Sequence, residues 1–255
     1  MTIIQAIILS IVEGITEFLP ISSTGHLILV SRLLNISQTD FVKSFEIFIQ
    51  LGAILAVVVL YFQKIWNNKK SWGKIITAFI PTGILGLIFY NFVKNNLLGN
   101  PYVVVISLFL GGIAILILEK IIAKRDASIH QIEDITYPKT IAIGTTQSLA
   151  MIPGVSRSLS TIFGGLLMGL NRSTATEFSF FLAIPTMFSA TALDLIKSSY
   201  QFTTEQFLLL AVGFIFSFIF ALLSVRFLIN FVKKHSFRPF AYYRIILAIA
   251  FLVLL

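Results

Sequence analysis

Long apolar runs alternate with short charged segments along the chain. Six runs reach the roughly 20 residues that a helix needs to cross a bilayer's hydrocarbon core. They cover 44–63, 75–93, 101–119, 175–195, 206–229 and 239–255. Two further apolar stretches, 2–34 and 140–171, are interrupted near their middles by "FLPISSTGH" and "MIPGVSRSLST". Each half is too short to span alone, so the pattern predicts helix, break and helix returning to the same face. Non-helical backbone at membrane depth is tolerated where protein buries it or a wet cavity receives it. The predicted fold is an all-α integral membrane protein, with six transmembrane helices and two re-entrant helical hairpins.

The order of elements repeats within this single membrane domain. A hairpin and three spans fill about 1–119, and a hairpin and three spans fill about 140–255. Pro20 aligns with Pro153 and Ser23 with Ser156, an offset of 133 residues. Phe45–Ile54 aligns with Thr176–Pro185 at an offset of 131, which sets Glu46 over Glu177 and Leu51 over Leu182. An odd number of spans per unit inverts the second copy. Inverted repeats with paired broken helices point to a site near the midplane, where the repeats meet.

Composition sharpens this picture. The chain is 57% hydrophobic and 12% charged, against about 25% charged in soluble domains. The N-terminal "MTIIQAIILSIV" lacks a basic residue ahead of its apolar run and a small-residue cleavage site, so it is not expected to be a signal peptide. With no cysteine, disulfide frameworks and thiolate metal sites are excluded. The net charge of +8 fits basic loops on one membrane face better than nucleic-acid binding. Lys64, Lys69, Lys70, Lys74, Lys120, Lys124, Arg125, Lys139, Arg226, Lys233, Lys234, Arg238 and Arg244 fall on one side. Arg32, Lys43, Lys94 and Lys197 fall on the other. The positive-inside rule makes the first side cytoplasmic and both termini extracytoplasmic. The first hairpin then enters from outside and the second from the cytoplasm.

The polar residues of the breaks carry the candidate chemistry. Glu13 and Glu17 lie one turn apart on one helix face. An ionised carboxylate in the membrane costs at least about 2.5–3.5 kcal/mol. A divalent cation, an arginine or a shared proton would relieve the pair; interfacial water is the bland alternative. Pro20 ends the incoming helix, and Ser22 or Ser23 caps the next. The amides of Ser23, Thr24, Gly25 and His26 would form an anion-attracting helix start, with Gly25 allowing close approach. His26 is a core histidine, a general base or a phosphate contact. In "PGVSRS" the acids are gone: Thr146 and Ala150 align with Glu13 and Glu17, and Arg157 aligns with Thr24. Arg157, beside Ser156 and Ser158, offers a planar fork for phosphate or an ion pair with Glu13 or Glu17. Gln50, Gln147 and Thr146 line the cavity or bond between helices. Glu46 and Glu177 pair with helix ends or a basic residue, or touch substrate, and His130 and His235 are expected in solvated loops.

"EGITEFLPISSTGHL", "QLGAILAVVVLY", "PGVSRSLST" and "GGLLMGLNRSTATEFSFFLAIP" resemble the undecaprenyl-diphosphatase, or bacitracin-resistance, family of bacterial membrane phosphatases. The resemblance covers the whole chain. It implies a plasma-membrane enzyme that hydrolyses a polyprenyl diphosphate lipid to the monophosphate and phosphate, recycling the carrier for cell-wall synthesis. It implies a divalent cation, Mg²⁺ or Ca²⁺, held by Glu13 and Glu17. It implies Ser23 as nucleophile with Ser22 beside it, and roles for His26 and Arg157. Membrane lipids and a second copy of the chain are the other expected partners. The proton of Ser23 would pass to His26 or to an acid; direct attack by water, or His26 as nucleophile, are variants. One position departs from the family: Leu159 stands where a glycine usually follows "SRS". The rival classes are a flippase for polyprenyl phosphate, which inverted repeats also suit, and a helical scaffold. Transport alone does not call for the Ser-Ser-x-x-x-His arrangement beside paired acids, and a scaffold leaves the buried acids and arginine without a purpose.

Overall fold

A computed structural model of the 255-residue chain describes residues 1–67, 69–97, 100–197 and 202–254. These residues form eleven α-helices: α1 (Ile3–Thr16), α2 (Ser23–Leu33), α3 (Asp40–Leu60), α4 (Phe62–Asn67), α5 (Lys69–Asn96), α6 (Pro101–Ile122), α7 (Tyr137–Gln147), α8 (Arg157–Leu167), α9 (Arg172–Lys197), α10 (Thr204–Val232) and α11 (Arg238–Leu254). Five are long and apolar enough to cross a membrane: α3, α5, α6, α9 and α10. The sixth expected run is α11, which is shorter at 17 residues. The run 44–63 does not stay one helix, because α3 ends at Leu60, Tyr61 caps it, and α4 begins at Phe62.

The two interrupted stretches are each a pair of short helices around a break. Residues 17–22 separate α1 from α2, and a 3-10 turn (Ser148–Met151) with residues 152–156 separates α7 from α8. Local geometry repeats across the two. Ser22 and Ser156 have φ of 71° and 75°, and each side-chain oxygen accepts from the backbone N–H three residues on. Both following helices are 11 residues long. Both then turn at a left-handed residue, Asn35 and Gly169. Ile36 N–H donates to Ser31 O, and Leu170 N–H to Gly165 O. All these pairs are 134 residues apart, one more than the aligned prolines suggest. The register therefore shifts: Arg157 stands where Ser23 does, and Gln147 stands where Glu13 does. The next helices, α3 and α9, start 132 residues apart, each capped by a side chain, Thr39 or Asn171. At that offset Glu46 no longer matches Glu177. Insertion of residues in the connection hides such a register in sequence, whereas caps and turns mark it in three dimensions.

Packing follows an exchange pattern. Helix α1 packs on α10 and α7 on α5; α10 packs on α3 and α5 on α9; α6 meets α11, and α3 meets α9. Glycines permit the closest crossings. A Cβ on Gly144 would overlap the carbonyl oxygen of Ala78, and one on Gly14 would lie 2.5 Å from that of Ser217. At α6, buried Glu119 accepts from Arg172 at 2.7 Å and from the Phe237 amide at 2.8 Å. This ties α6 to the start of α9 and the entry to α11.

Arg244 does not belong to a basic loop. It lies inside α11 and is fully buried, so counting it with the loop charges is corrected. Its guanidinium donates to the carbonyls of Leu108 and Ser107 on α6, and to those of Pro20 and Gly154, one in each break.

Candidate active site

The breaks meet because α2 and α8 begin at one cavity of about 200 Å³. Residues Ser22, Ser23 and Thr24 line one side, and Pro153, Gly154, Ser156 and Arg157 the other. In both helices the Ncap serine holds a conformation that side-chain-bearing residues rarely adopt, a strain of about 1–3 kcal/mol each. It is maintained by the cap: Gly25 N–H donates to Ser22 Oγ, and Leu159 N–H to Ser156 Oγ. The first closed turns are His26 N–H to Ser22 O and Ser160 N–H to Ser156 O. The amides before them, Ser23 and Thr24, and Arg157 and Ser158, lie in the first turn, where a helix has no acceptor of its own. Two helix starts thus contribute partial positive charge to one space.

Glu17, just past the end of α1, links the two sides. One carboxylate oxygen accepts from Ser23 Oγ at 2.6 Å and the other from Arg157 Nη2 at 2.7 Å. Arg157 Nη1 also donates to the Ser179 carbonyl at 3.2 Å, and its guanidinium lies 5.5 Å from the Phe18 ring centre. Phe18 itself packs edge-on against Phe180. Arg157 Nε is a buried donor with no protein acceptor. The fork is therefore held by two elements beside the cavity that Arg157 lines.

Glu13 lies one turn earlier, fully buried, and neither carboxylate oxygen receives a hydrogen bond. The charges acting on it are Glu17 and Glu46, both acidic, and Arg157. An orphan carboxylate beside a second acid is unfavourable by several kcal/mol unless a proton or cation shares it, which a folded chain retains for a reason other than stability.

Of the residues expected at the site, Glu17, Ser22, Ser23, Thr24, Gln50, Gln147, Ser156 and Arg157 line the cavity. Four do not: Glu13, which is buried one turn before Glu17 and outside the lining, and three that face elsewhere. His26 has Nδ1 2.7 Å from the Ser22 carbonyl and Nε2 2.7 Å from the Tyr243 hydroxyl, with the two rings stacked. The carbonyl can only accept, so Nδ1 carries a proton, and the imidazole turns from Ser23 toward α11. A Cβ on Gly25 would meet Leu108, so this glycine serves the packing of α2 on α6 rather than ligand approach. Ser158 Oγ donates to the Phe18 carbonyl at 2.6 Å, tying break to break. Leu159 is buried in the core, and only its amide faces the break, so its side chain does not narrow the cavity.

Thr146 and Glu177 bond as the less specific readings expected, whereas Glu46 bonds to a serine rather than to a helix end or a basic residue. Thr146 donates to Ser160 O between α7 and α8, Glu46 accepts from Ser31, and Glu177 pairs with Lys64 at 2.5 Å. His130 and His235 are exposed. Three residues were missed. Thr82 and Thr186 line the cavity and both accept from Gln147 Nε2, at 2.9 and 3.2 Å. Each follows a helix-interior proline within an identical Ile-Pro-Thr triplet, 80–82 and 184–186, a signal available to sequence inspection. Arg244 was the third; it stood out as a charge inside an apolar run.

The family model for "Bacitracin resistance protein BacA" matches residues 6–250. The chain is 55% identical over 251 residues to an undecaprenyl-diphosphatase of Aquifex aeolicus, covering 98% of each chain. It is 52% identical over 253 residues to one of Persephonella marina, covering 99% of each. A third, of Wolinella succinogenes, is 53% identical over 252 residues. With two broken hairpins whose serines, arginine and Glu17 meet at one cavity, and with this match along nearly its whole length, the chain belongs to the BacA bacitracin-resistance protein family.

Proposed function

We propose that the chain hydrolyses undecaprenyl diphosphate to undecaprenyl phosphate and inorganic phosphate in the membrane. The observation that carries this reading is Glu17 held between Ser23 and Arg157. Ser23 Oγ attacks the terminal phosphorus while its proton passes to Glu17. The Oγ–P bond forms, the anhydride P–O bond breaks, and undecaprenyl phosphate leaves with the electron pair. Water then cleaves the phosphoserine and Ser23 regains a proton. Phosphoryl transfer needs mainly positioning and charge stabilisation. Arg157, which lines the cavity, and the starts of α2 and α8 supply that charge to the phosphate oxygens. His26, turned to Ser22 O and Tyr243, sets the first turn of α2 instead of taking the proton.

Glu13 and Glu17 are the residues that would hold a divalent cation, Mg²⁺ or Ca²⁺. The fit rests on the two unengaged oxygens of Glu13, since Mg²⁺ takes one or two carboxylates together with substrate phosphate. No group of three or more His, Asp or Glu gathers among the described residues, so oxygens from outside the protein would have to complete the set. When bound, the ion neutralises charge on the diphosphate.

The same reading extends to topology. The exchange pattern of helix contacts and the 134-residue repeat of caps and turns support two inverted halves, with α11 as a sixth span and both hairpins re-entrant. Both termini then face outward, with basic loops in the cytoplasm. Duplicated halves also suit lipid transport. Phosphate release by purified protein in detergent, where no gradient exists, separates hydrolysis from transport. Ser23→Ala protein that still hydrolysed undecaprenyl diphosphate at the wild-type rate would exclude the serine route.

A further inference from the structure

The two halves differ at one seam. Exchange of the halves turns the α3–α10 contact into the α9–α5 contact. The first is sealed: a Cβ on Gly52 would overlap the Phe214 carbonyl oxygen, and one on Gly213 would lie 2.6 Å from the Phe45 ring. At the second, Gly83 and Gly86 of α5 are not used for close approach. A Cβ on Gly83 would meet nothing nearer than Phe79 of its own helix, at 3.6 Å, and one on Gly86 only Met151 Sδ at 3.9 Å. Helix α5 is also the least covered span, with 11% of its apolar stretch buried against 33–50% in the other four.

The cavity that holds Ser23 and Arg157 reaches this loose seam. Thr82 of α5 and Thr186, Met187 and Ala190 of α9 line it. The seam is bridged there by Gln147, which donates to both threonines. Each threonine follows a proline, where the helix lacks a backbone hydrogen bond and bends readily. Leu87 and Phe188, next along the two helices, are exposed and apolar.

We infer that the α5–α9 seam is the site that takes the polyprenyl chain of the substrate, with Gln147 as its clasp. This rests on the phosphatase reading. The diphosphate needs the polar end of the cavity, and the chain it carries needs a continuous exit into lipid. The seam supplies that exit from the same cavity, while its pseudo-equivalent is closed by backbone contact. Release of the Gln147 clasp lets α5 and α9 part at their prolines, and the isoprene units pass between them.

The test uses Thr82→Cys/Thr186→Cys protein, which is clean because the chain has no cysteine. A short bifunctional thiol reagent locks the seam, and each substrate is referred to the same protein left unlocked. Locking is expected to lower undecaprenyl diphosphate hydrolysis at least about tenfold, while geranyl diphosphate hydrolysis changes no more than about twofold. Equal loss for both substrates, or loss for neither, overturns the inference. A second measurement uses unaltered protein and a polyprenyl diphosphate with a diazirine in the isoprene unit next to the diphosphate. Labelling is expected within 82–89 and 186–190; labelling confined to α10, or to α6 and α11, overturns the inference. If unaltered protein releases no phosphate yet labels at the seam, the phosphatase reading fails and the chain site stands.

Discussion

Ser23 and Glu17 are joined by a 2.6 Å hydrogen bond in which the serine donates. The contact is buried, and it crosses the break between α1 and α2. Glu17→Gln keeps the shape but removes the proton acceptor and the charge facing Arg157. Phosphate release is expected to fall by about 10²–10⁴, the span typical of a lost general base. Unchanged activity in the variant would show that the proton leaves Ser23 by another route.

His26 and Tyr243 act as a unit, because each ring is set by the other and by the Ser22 carbonyl. His26→Ala and Tyr243→Phe are therefore expected to lower activity by similar factors, each well short of the Glu17→Gln loss. The double variant should be little worse than either single one, since a shared interaction is lost once. A His26→Ala loss as large as that of Glu17→Gln, with Tyr243→Phe harmless, would restore the imidazole as the base.

Arg244 holds the two breaks at a fixed separation, with one donor on Pro20 O and another on Gly154 O. Replacement by methionine leaves the Pro20 and Gly154 carbonyls of the breaks without this donor, each costing about 1–3 kcal/mol, while the Ser107 and Leu108 carbonyls keep their place inside α6. The expected outcome is a clear drop in melting temperature in detergent, together with a lower kcat. Arg244→Lys should recover only part of both, because an ammonium cannot span carbonyls from two breaks and α6 at once. A stable, fully active methionine variant would show that the breaks are positioned by other contacts.

Much of this architecture was legible in the sequence, for physical reasons. Apolar length and interruption mark membrane helices and breaks, and Ser, Pro and Gly name the caps. Glu17 and Arg157 were identified from the cost of placing charge in an apolar run, and Ser23 from its place at a helix start and from the family resemblance. What escaped was register and direction. Residues inserted between caps moved Arg157 from the place of Thr24 to that of Ser23. The orientation of His26 depends on Tyr243, 217 residues away, and no local pattern reports such a contact. Arg244 was read as a loop charge although it falls inside the apolar run 239–255; that four carbonyls converge on it is seen only in the fold.

Glu13 differs from every other acid at the site because both its oxygens are buried and receive no hydrogen bond. Its cost to folding is set against Glu17 and Glu46, which repel it when ionised. Glu13→Gln removes that repulsion and lets an amide donate to Glu17. Melting in the presence of chelator is thus expected to stay level or rise. Activity should move the other way: the Mg²⁺ concentration for half-maximal phosphate release should increase by about 10–100-fold, as for other weakened metal sites. These opposite signs separate a ligand from a packing residue. A merely structural Glu13 would give a less stable variant whose folded fraction still works at the original Mg²⁺ concentration. Melting curves with chelator and activity titrated against Mg²⁺, on the same preparation, decide between them.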